Sequence, residues 1–244
     1  MLSERTIKHD LKASVGHFWN TRAGQASKQR SRGSSDQGAR SAVTGGKQMD
    51  GFVSLVARII TTAGLSKDCL FIDKQLELPG YFRPEKKWDF VVMDDKTLVA
   101  AVEFKSQVGP SFGNNFNNRA EESIGTALDI WTAYRDGAFS SATRPWLGYL
   151  MLLEDCDEST TPVAVRESHF PVFRKFVGAS YAMRYQELLI RLMKERLYDS
   201  ATLVLSPKPQ TSEVKYHFPN DNLHFDKFAT ALHEQVASYL SARK

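Results

Sequence analysis

The stretch Trp88-Asp89-Phe90-Val91-Val92-Met93 is followed by the turn Asp94-Asp95-Lys96 and then by Leu98-Val99-Ala100-Ala101-Val102-Glu103-Phe104-Lys105. Two apolar runs joined by a short polar turn indicate a β-hairpin. The second run is apolar on both of its alternating faces, which is typical of a strand buried inside a sheet. We therefore predict an α/β fold in which a mixed central sheet is built on this hairpin and flanked by helices.

The end of the hairpin places two acids and a lysine close together. If Met93 faces Val99, then Asp89 faces Glu103, and such neighbours have Cβ atoms roughly 5 Å apart. Carboxylates that close repel each other unless a cation lies between them. Lys105 follows Glu103 on the same face of the strand. The hairpin therefore predicts a divalent-metal site with a lysine beside it.

These side chains suit the hydrolysis of phosphodiester bonds. Mg²⁺ binds one or two carboxylates, retains several waters and contacts substrate phosphates. Such an ion activates a water and neutralises charge on phosphate oxygens, and a fixed lysine stabilises the nucleophile or the pentavalent phosphate. We therefore predict that Asp89 and Glu103 hold Mg²⁺ and that Lys105 assists the attacking water.

An acid two residues before a lysine is a weak motif by itself, because the chain contains four. They are Glu85-Lys86-Lys87, Asp94-Asp95-Lys96, Glu103-Phe104-Lys105 and Glu213-Val214-Lys215. The first two lie in polar turns that we expect to be exposed. The fourth is a rival, because Asp199 precedes Glu213 by the interval that separates Asp89 from Glu103. Two prolines interrupt the rival's connecting segment, which favours the hairpin, although a plain surface ion pair at Glu103 stays open.

Asp89 and Glu103-Phe104-Lys105 resemble the PD-(D/E)xK nuclease motif, with Trp88 in place of the usual proline. That resemblance implies that the Phe104 backbone carbonyl joins the two carboxylates as a metal ligand. More specifically, the chain resembles the XhoI-type family of type II restriction endonucleases over nearly its whole length. Three segments carry this resemblance: Lys87-Trp88-Asp89, the run from Glu103 to Arg119, and Asp129-Ile130-Trp131-Thr132-Ala133-Tyr134-Arg135.

The family resemblance implies a restriction-endonuclease-like fold and a homodimer that needs Mg²⁺. It implies cleavage of both strands of duplex DNA at the palindrome CTCGAG, with 5′-phosphate products, and a cognate DNA methyltransferase as functional partner. Two alternatives stay open: a repair or junction-resolving nuclease of the same fold, and a non-catalytic DNA-binding module. The presence of Asp89, Glu103 and Lys105 together disfavours the module.

Composition sets broad bounds on these hypotheses. The 244 residues suffice for one good core with a small additional lobe, and the net charge of +4 permits nucleic-acid binding without requiring it. Cys69 and Cys156 lack metal-ligand spacing, so we expect free thiols. Neither an apolar run of membrane length nor a signal-peptide core is present. We therefore expect no membrane association and a location in the bacterial cytoplasm.

The amino-terminal region predicts a helix over residues 1–20 and then a basic, flexible arm from Thr21 to Lys47. The arm is rich in Gly, Ser and Gln, and is either a solvated linker or a segment that becomes ordered along DNA phosphates. We favour DNA contact and divide the chain into this region, 1–48, and a nuclease domain, 49–244. The arm residues expected to contact DNA are Arg30, Arg32, Arg40 and Lys47.

The segment from Ser106 to Arg119 predicts a long loop that leaves the catalytic strand directly. Asn and Gln can bind adenine through two hydrogen bonds, and Arg can bind guanine in the same way. The alternative is an Asn-rich turn whose amides bond its own backbone. We favour DNA contact through Gln107, Asn114, Asn115, Asn117, Asn118 and Arg119.

Periodicity places the remaining elements. Helices are predicted over residues 50–63, 120–135, 180–198 and 225–242, and strands over 70–78, 146–153, 201–206 and 214–218. The strand–helix–strand order predicts that the strand at 146–153 runs parallel to the second hairpin strand. Asp50 is either the N-cap of its helix or an accessory acid near the metal.

Overall fold

The computed structural model describes residues 2–31, 47–139 and 143–243, with the side chains of 28–31 left out. Its α-helices are α1 (Glu4–Ser31), α2 (Asp50–Thr62), α3 (Phe112–Arg135), α4 (Asp157–Thr160), α5 (Tyr181–Lys194) and α6 (Phe225–Ala242). Its strands are β1 (Leu70–Phe71), β2 (Glu77–Pro79), β3 (Glu85–Lys87), β4 (Phe90–Asp94), β5 (Thr97–Gln107), β6 (Trp146–Glu154) and β7 (Ser200–Ser206). Within these ranges, no helix is long and apolar enough to cross a membrane.

The main sheet has the order β1-β4-β5-β6-β7, and β2 and β3 form a separate two-stranded sheet. Strands β1, β4 and β5 pair antiparallel, whereas β5, β6 and β7 pair parallel. The helix α3 connects β5 to β6, which confirms the predicted crossover. The sheet is therefore mixed, and the predicted α/β, restriction-endonuclease-like fold is confirmed.

Helices cover both faces of the main sheet. On one face α1, α2 and α6 bury side chains such as Phe18, Phe52 and Phe228. On the other face α3 and α5 bury Trp131 and Tyr185. Fully burying a large apolar side chain stabilises a fold by about 1.5–3 kcal/mol. The two helical layers thus fix a rigid sheet whose central strand is β5.

The β4–β5 hairpin has the expected register near its middle, where Val91 faces Ala101. A bulge between Val92 and Met93 shifts the far end, so Met93 faces Leu98 and not Val99 as predicted. A bulge inserts one extra residue into one strand and leaves the rest of the ladder intact. The register toward the opposite end of β4 is therefore unchanged.

The predicted loop at 106–119 is wrong for most of its length. Strand β5 continues to Gln107, and α3 already begins at Phe112, so only four residues connect them. The Phe112 side chain is 4% exposed and stacks on Tyr181, with ring centroids 5.8 Å apart. This tertiary anchor overrides the weak helix propensity of the Asn-rich segment that follows.

Two predicted strands also need correction. The segment 70–78 divides into β1 and the start of β2, with a turn between them in which Gln75 has a φ of 56°. Such a left-handed residue cannot continue an extended strand. The segment 214–218 contributes only an isolated bridge between Leu205 and His217. Next to this bridge, the Ser206 hydroxyl donates a hydrogen bond to the Lys215 carbonyl at 2.7 Å.

Helix α1 does not end near residue 20 as expected but continues to Ser31. The first part of the predicted flexible arm, residues 21–31, is therefore helical. Just before it, the Trp19 indole N–H donates to the Ser206 hydroxyl at 2.9 Å and fixes the helix against β7. Arg32 and Arg40 lie outside the described residues, and so does the side chain of Arg30. The division of the chain at residues 48 and 49 stays a prediction.

Candidate active site

Three side chains singled out from the sequence meet at one end of the hairpin. Asp89 lies immediately before β4, and Glu103 and Lys105 project from the same face of β5. The Lys105 ammonium contacts Asp89 Oδ2 at 2.7 Å and also pairs with Glu103 Oε2. The Phe104 N–H donates to Asp89 Oδ2 at 2.8 Å. The lysine therefore connects both acids, and the backbone of β5 holds Asp89 in place.

Burial and ion pairing act against each other at this site. Glu103 is 2% exposed, and this burial raises its pKa despite the opposing effect of Lys105. Burial also pushes the pKa of Asp89 upward, but Lys105 and the Phe104 N–H outweigh it and leave the pKa below its ordinary value. For Lys105, burial lowers the pKa but the two carboxylates raise it above the ordinary value. Lys105 is therefore an ammonium at neutral pH, and Asp89 is a carboxylate.

A second lysine, which the sequence interpretation missed, also reaches Glu103. The Lys86 ammonium donates to Glu103 Oε1 at 2.5 Å and to the Lys87 carbonyl at 2.6 Å. It also lies 5.2 Å from the centre of the Trp88 ring. The motif Glu85-Lys86-Lys87 was expected to be an exposed turn. The sequence held a signal for this contact. Side chains alternate between the two faces of a strand, so a lysine two residues before a buried tryptophan lies on the same face as that tryptophan.

The β2–β3 hairpin that carries Lys86 is fastened to α3 by Asp129. This carboxylate, 3% exposed, accepts from Tyr81 N at 2.7 Å, Phe82 N at 2.9 Å and Arg83 Nε at 2.6 Å. Burial raises the pKa of Asp129, but these donors outweigh it, and the pKa is lowered. The ionised form of Asp129 thus stabilises the hairpin that positions Lys86.

Replacing Asp129 by asparagine is expected to destabilise the protein in a pH-dependent way. Hydrogen bonds to a charged group contribute about 1.5–3 kcal/mol, so we expect a loss of that order at pH 7. The pKa of Asp129 in the folded protein lies below the ordinary value. The wild type should therefore be more stable than Asp129→Asn above about pH 4 and lose this extra stability as the pH falls through that pKa. Urea unfolding from pH 7 to pH 2.5 measures this difference, with Asp136→Asn as the exposed control. A difference that stays constant with pH would contradict the role of the charge.

The acid Asp50 lies near the site without touching it. It is the first residue of α2, and Met49 occupies the N-cap position, so the N-cap interpretation is wrong. Asp50 lines a cavity of 380 Å³ together with Asp89, Lys105 and Arg119. Burial raises the pKa of Asp50. A role of Asp50 as an accessory acid near the metal stays a proposal.

The oxygen atoms expected to bind a metal at Asp89 and Glu103 suit a hard divalent cation. They are two carboxylates and the Phe104 carbonyl that follows Glu103 in the strand, an oxygen-only set of the kind that Mg²⁺ takes when it keeps several waters. Among the residues that the structure describes, no group of three or more His, Cys, Asp and Glu side chains could hold a metal. A site with two protein carboxylates is compatible with that finding, because water and phosphate supply the remaining Mg²⁺ ligands.

The residues expected to contact DNA are placed unequally. The side chains of Asn114, Asn115, Asn117 and Asn118 are exposed on the first turns of α3. Arg119 pairs with Glu122 at 2.6 Å. It also lines two cavities, one shared with Glu103 and the other with Asp89. Lys47 is exposed just before α2.

Gln107 differs from the other residues expected to contact DNA. Its side chain is buried, with only 3% of the residue exposed, and its carbonyl oxygen accepts a hydrogen bond from the Tyr185 hydroxyl. Because Gln107 belongs to β5 and faces α5, it is not available to DNA. The expectation that it contacts DNA is corrected accordingly.

The residues of the rival motif, Asp199, Glu213 and Lys215, make other interactions. The Asp199 carboxylate accepts from Leu147 N at 2.8 Å and pairs with Arg144. Glu213 and Lys215 form an ion pair at 3.4 Å in which both side chains are more than 60% exposed. Asp199 therefore orders the start of β6, and the rival motif does not form a buried metal site.

Comparison with known proteins gives consistent matches. The family model described as restriction endonuclease XhoI matches residues 28–218. The type II restriction enzyme BstVI of Geobacillus stearothermophilus is 50% identical over 208 residues, which cover 83% of this chain and 93% of that protein. XhoI of Xanthomonas vasicola is 46% identical over 199 residues, covering 81% and 76%, and AbrI of Azospirillum brasilense is 54% identical over 158 residues, covering 64% and 71%. No solved structure matches the chain.

Proposed function

The chain belongs to the XhoI family of type II restriction endonucleases, and from this premise we propose that Asp89, Glu103 and Lys105 form its catalytic centre. We propose Mg²⁺-dependent hydrolysis of both DNA strands at CTCGAG, with 5′-phosphate products. The observation that carries the proposal is the Lys105 ammonium, which contacts Asp89 at 2.7 Å and also pairs with the buried Glu103. This geometry joins two metal-binding acids to one fixed cation.

Each residue has a defined part in the proposed reaction. Asp89, Glu103 and the Phe104 carbonyl would hold Mg²⁺, which when bound would supply an activated water and neutralise phosphate charge. Lys105 keeps its proton on Nζ and donates a hydrogen bond to the attacking water or to a phosphate oxygen. Attack of the water oxygen on phosphorus would form a new P–O bond and break the bond to the 3′ oxygen. The water gives up a proton to solvent and the 3′ oxygen takes one from solvent, so the phosphate stays on the 5′ end.

DNA is the proposed substrate, and its contacts come from two parts of the chain. Exposed amides at the start of α3 suit base edges, and Arg119 extends this surface toward the active site. The basic arm suits the phosphate backbone. The proposed contacts are Asn114, Asn115, Asn117, Asn118, Arg119, Arg30, Arg32, Arg40 and Lys47.

One active site cuts one strand at a time, so cleavage of a palindrome favours a twofold homodimer. An enzyme of this activity in a bacterial cytoplasm would also cut the host's own sites. We therefore propose that a cognate DNA methyltransferase protects them. Asp50 is proposed as an accessory acid, because it shares a cavity with Asp89.

Incubation of the purified protein with phage DNA carrying several CTCGAG sites tests the proposed function. We expect discrete fragments from cuts at those sites with Mg²⁺ and intact DNA with EDTA. Discrete cuts elsewhere would keep the catalytic centre and reject the proposed specificity. Cleavage at mismatches or branches would favour a repair or junction nuclease, and DNA binding without cleavage would favour the non-catalytic module.

A further inference from the structure

The Glu103 carboxylate has two ammonium partners, one on each oxygen. Lys86 contacts Oε1 at 2.5 Å, and Lys105 pairs with Oε2. We propose that Lys86 competes with the divalent cation for Glu103 and so restrains metal binding until DNA is present. The inference rests on the proposed function, because it concerns the same metal site.

Steric access to Glu103 is the first reason for competition. Only 2% of this residue is exposed, and an ammonium already contacts each carboxylate oxygen. A metal ion that coordinates Glu103 needs an oxygen lone pair that faces it, and it also brings positive charge next to two cations. Each carboxylate oxygen has two lone pairs, so the two contacts do not block the ion completely, but moving one ammonium group away would make Glu103 a better ligand.

The contacts indicate that Lys86 is the group that moves. Lys105 is held by a second carboxylate, Asp89, at 2.7 Å. Lys86 has Glu103 as its only carboxylate partner among the described residues, and its other polar contact is the Lys87 carbonyl. Moving Lys86 thus breaks one ion pair, whereas moving Lys105 breaks two.

A cavity beside Glu103 provides a destination for the displaced ammonium. It has a volume of 510 Å³ and is lined by Lys86, Glu103, Arg119 and Tyr149 among others. The Tyr149 hydroxyl is buried and has no hydrogen-bond partner within the described part of the chain. Buried polar groups of this kind normally find a partner. The cavity therefore offers Lys86 both space and a hydrogen-bond acceptor.

DNA would favour the displaced state of Lys86. The charged side chains that line the cavity are Arg83, Lys86, Lys105 and Arg119 against Glu103, Glu121 and Glu122. Basic groups are in excess, so a phosphate that approaches the cavity can pair with the free Lys86 ammonium. Each ligand then favours the other, because release of Glu103 by DNA strengthens metal binding, and metal binding releases Lys86 for DNA. The β2–β3 hairpin thus couples the two ligands.

Mn²⁺ binding to the free protein, followed by electron paramagnetic resonance of the unbound ion, tests the proposal without cleavage. We expect Lys86→Gln to tighten Mn²⁺ binding at least about fivefold, the lower end of typical coupling between sites. Damage to the fold would loosen binding, so a gain in affinity separates competition from a structural role. Lys86→Arg keeps the charge and should bind Mn²⁺ as the wild type does.

Lys87→Gln is the matched control, because it removes the same charge from the neighbouring exposed residue. If Lys86→Gln and Lys87→Gln tighten Mn²⁺ binding equally, the effect comes from the general loss of positive charge, and the proposed competition is wrong. Unchanged or weaker Mn²⁺ binding by Lys86→Gln would also overturn it. Glu103→Gln distinguishes failure of the proposed function: if it binds Mn²⁺ as well as the wild type, the metal site itself is wrongly assigned.

Discussion

Glu103→Gln is expected to lower the rate of DNA cleavage by about a hundredfold to a thousandfold, the size typical of losing one preorganised charge-stabilising group. The amide is neutral and cannot offset the charge of a bound cation. It also places an NH₂ group where one carboxylate oxygen stood. Glu103→Ala should show at least the same loss.

The fold should survive this substitution because two opposing changes accompany it. Burial raises the pKa of Glu103, so holding its carboxylate ionised at neutral pH opposes folding, and the amide removes that cost. Lys86 and Lys105 lose a partner, but their side chains are 21% and 19% exposed and can be hydrated. We therefore expect a protein that still unfolds cooperatively but at a lower temperature than the wild type, because the new NH₂ group faces one of the two ammonium groups.

Single-turnover cleavage of a duplex with one CTCGAG site measures the rate, and a gel shift without Mg²⁺ measures DNA binding. Glu77→Gln is the matched control, because Glu77 is exposed on β2 and its carboxylate accepts only from the Leu76 N–H among the described residues. Wild-type cleavage by a well-folded Glu103→Gln protein would disprove the assignment of Glu103. Loss of DNA binding together with cleavage would place Glu103 in substrate binding.

The centre of the site could be predicted because it depends on local rules. Strand alternation alone places Glu103 and Lys105 on one face, and the hairpin register alone brings Asp89 opposite them. The structure keeps that register at Val91 and Ala101. The bulge near Met93 escaped prediction, because nothing in the local pattern marks which strand takes the extra residue. It does not affect the site, since it lies toward the far turn.

Features that depend on distant contacts could not be predicted. The start of α3 is set by Phe112 stacking on Tyr181, a residue far along the chain. The position of Lys86 depends on Asp129, which fastens the β2–β3 hairpin to α3. Gln107 looked suitable for DNA because of its residue type, and only the packing of α5 against β5 shows that it is buried.

Lys105→Met is expected to reduce cleavage by about a hundredfold to a thousandfold, the size typical of losing one preorganised hydrogen-bond donor to the transition state. Methionine keeps most of the length and volume of the lysine stem but lacks the ammonium. Asp89 loses the contact at 2.7 Å that lowers its pKa. The two acids should still hold a metal ion, so the loss should appear in the rate of the chemical step.

The pH dependence of cleavage identifies what Lys105 does. Its pKa is raised by Glu103 and Asp89 above the ordinary value near 10.4, so the wild-type enzyme should show no rate increase from lysine deprotonation between about pH 7 and pH 9.5. Single-turnover cleavage rates between pH 7 and pH 9.5 measure this pH dependence. Lys96→Met, in the exposed turn of the same hairpin, is the control. If the rate instead rose tenfold per pH unit and lost that dependence in Lys105→Met, Lys105 would be a general base. If the rate is flat, the ammonium acts as a charged donor, and raising the pH cannot restore activity to Lys105→Met.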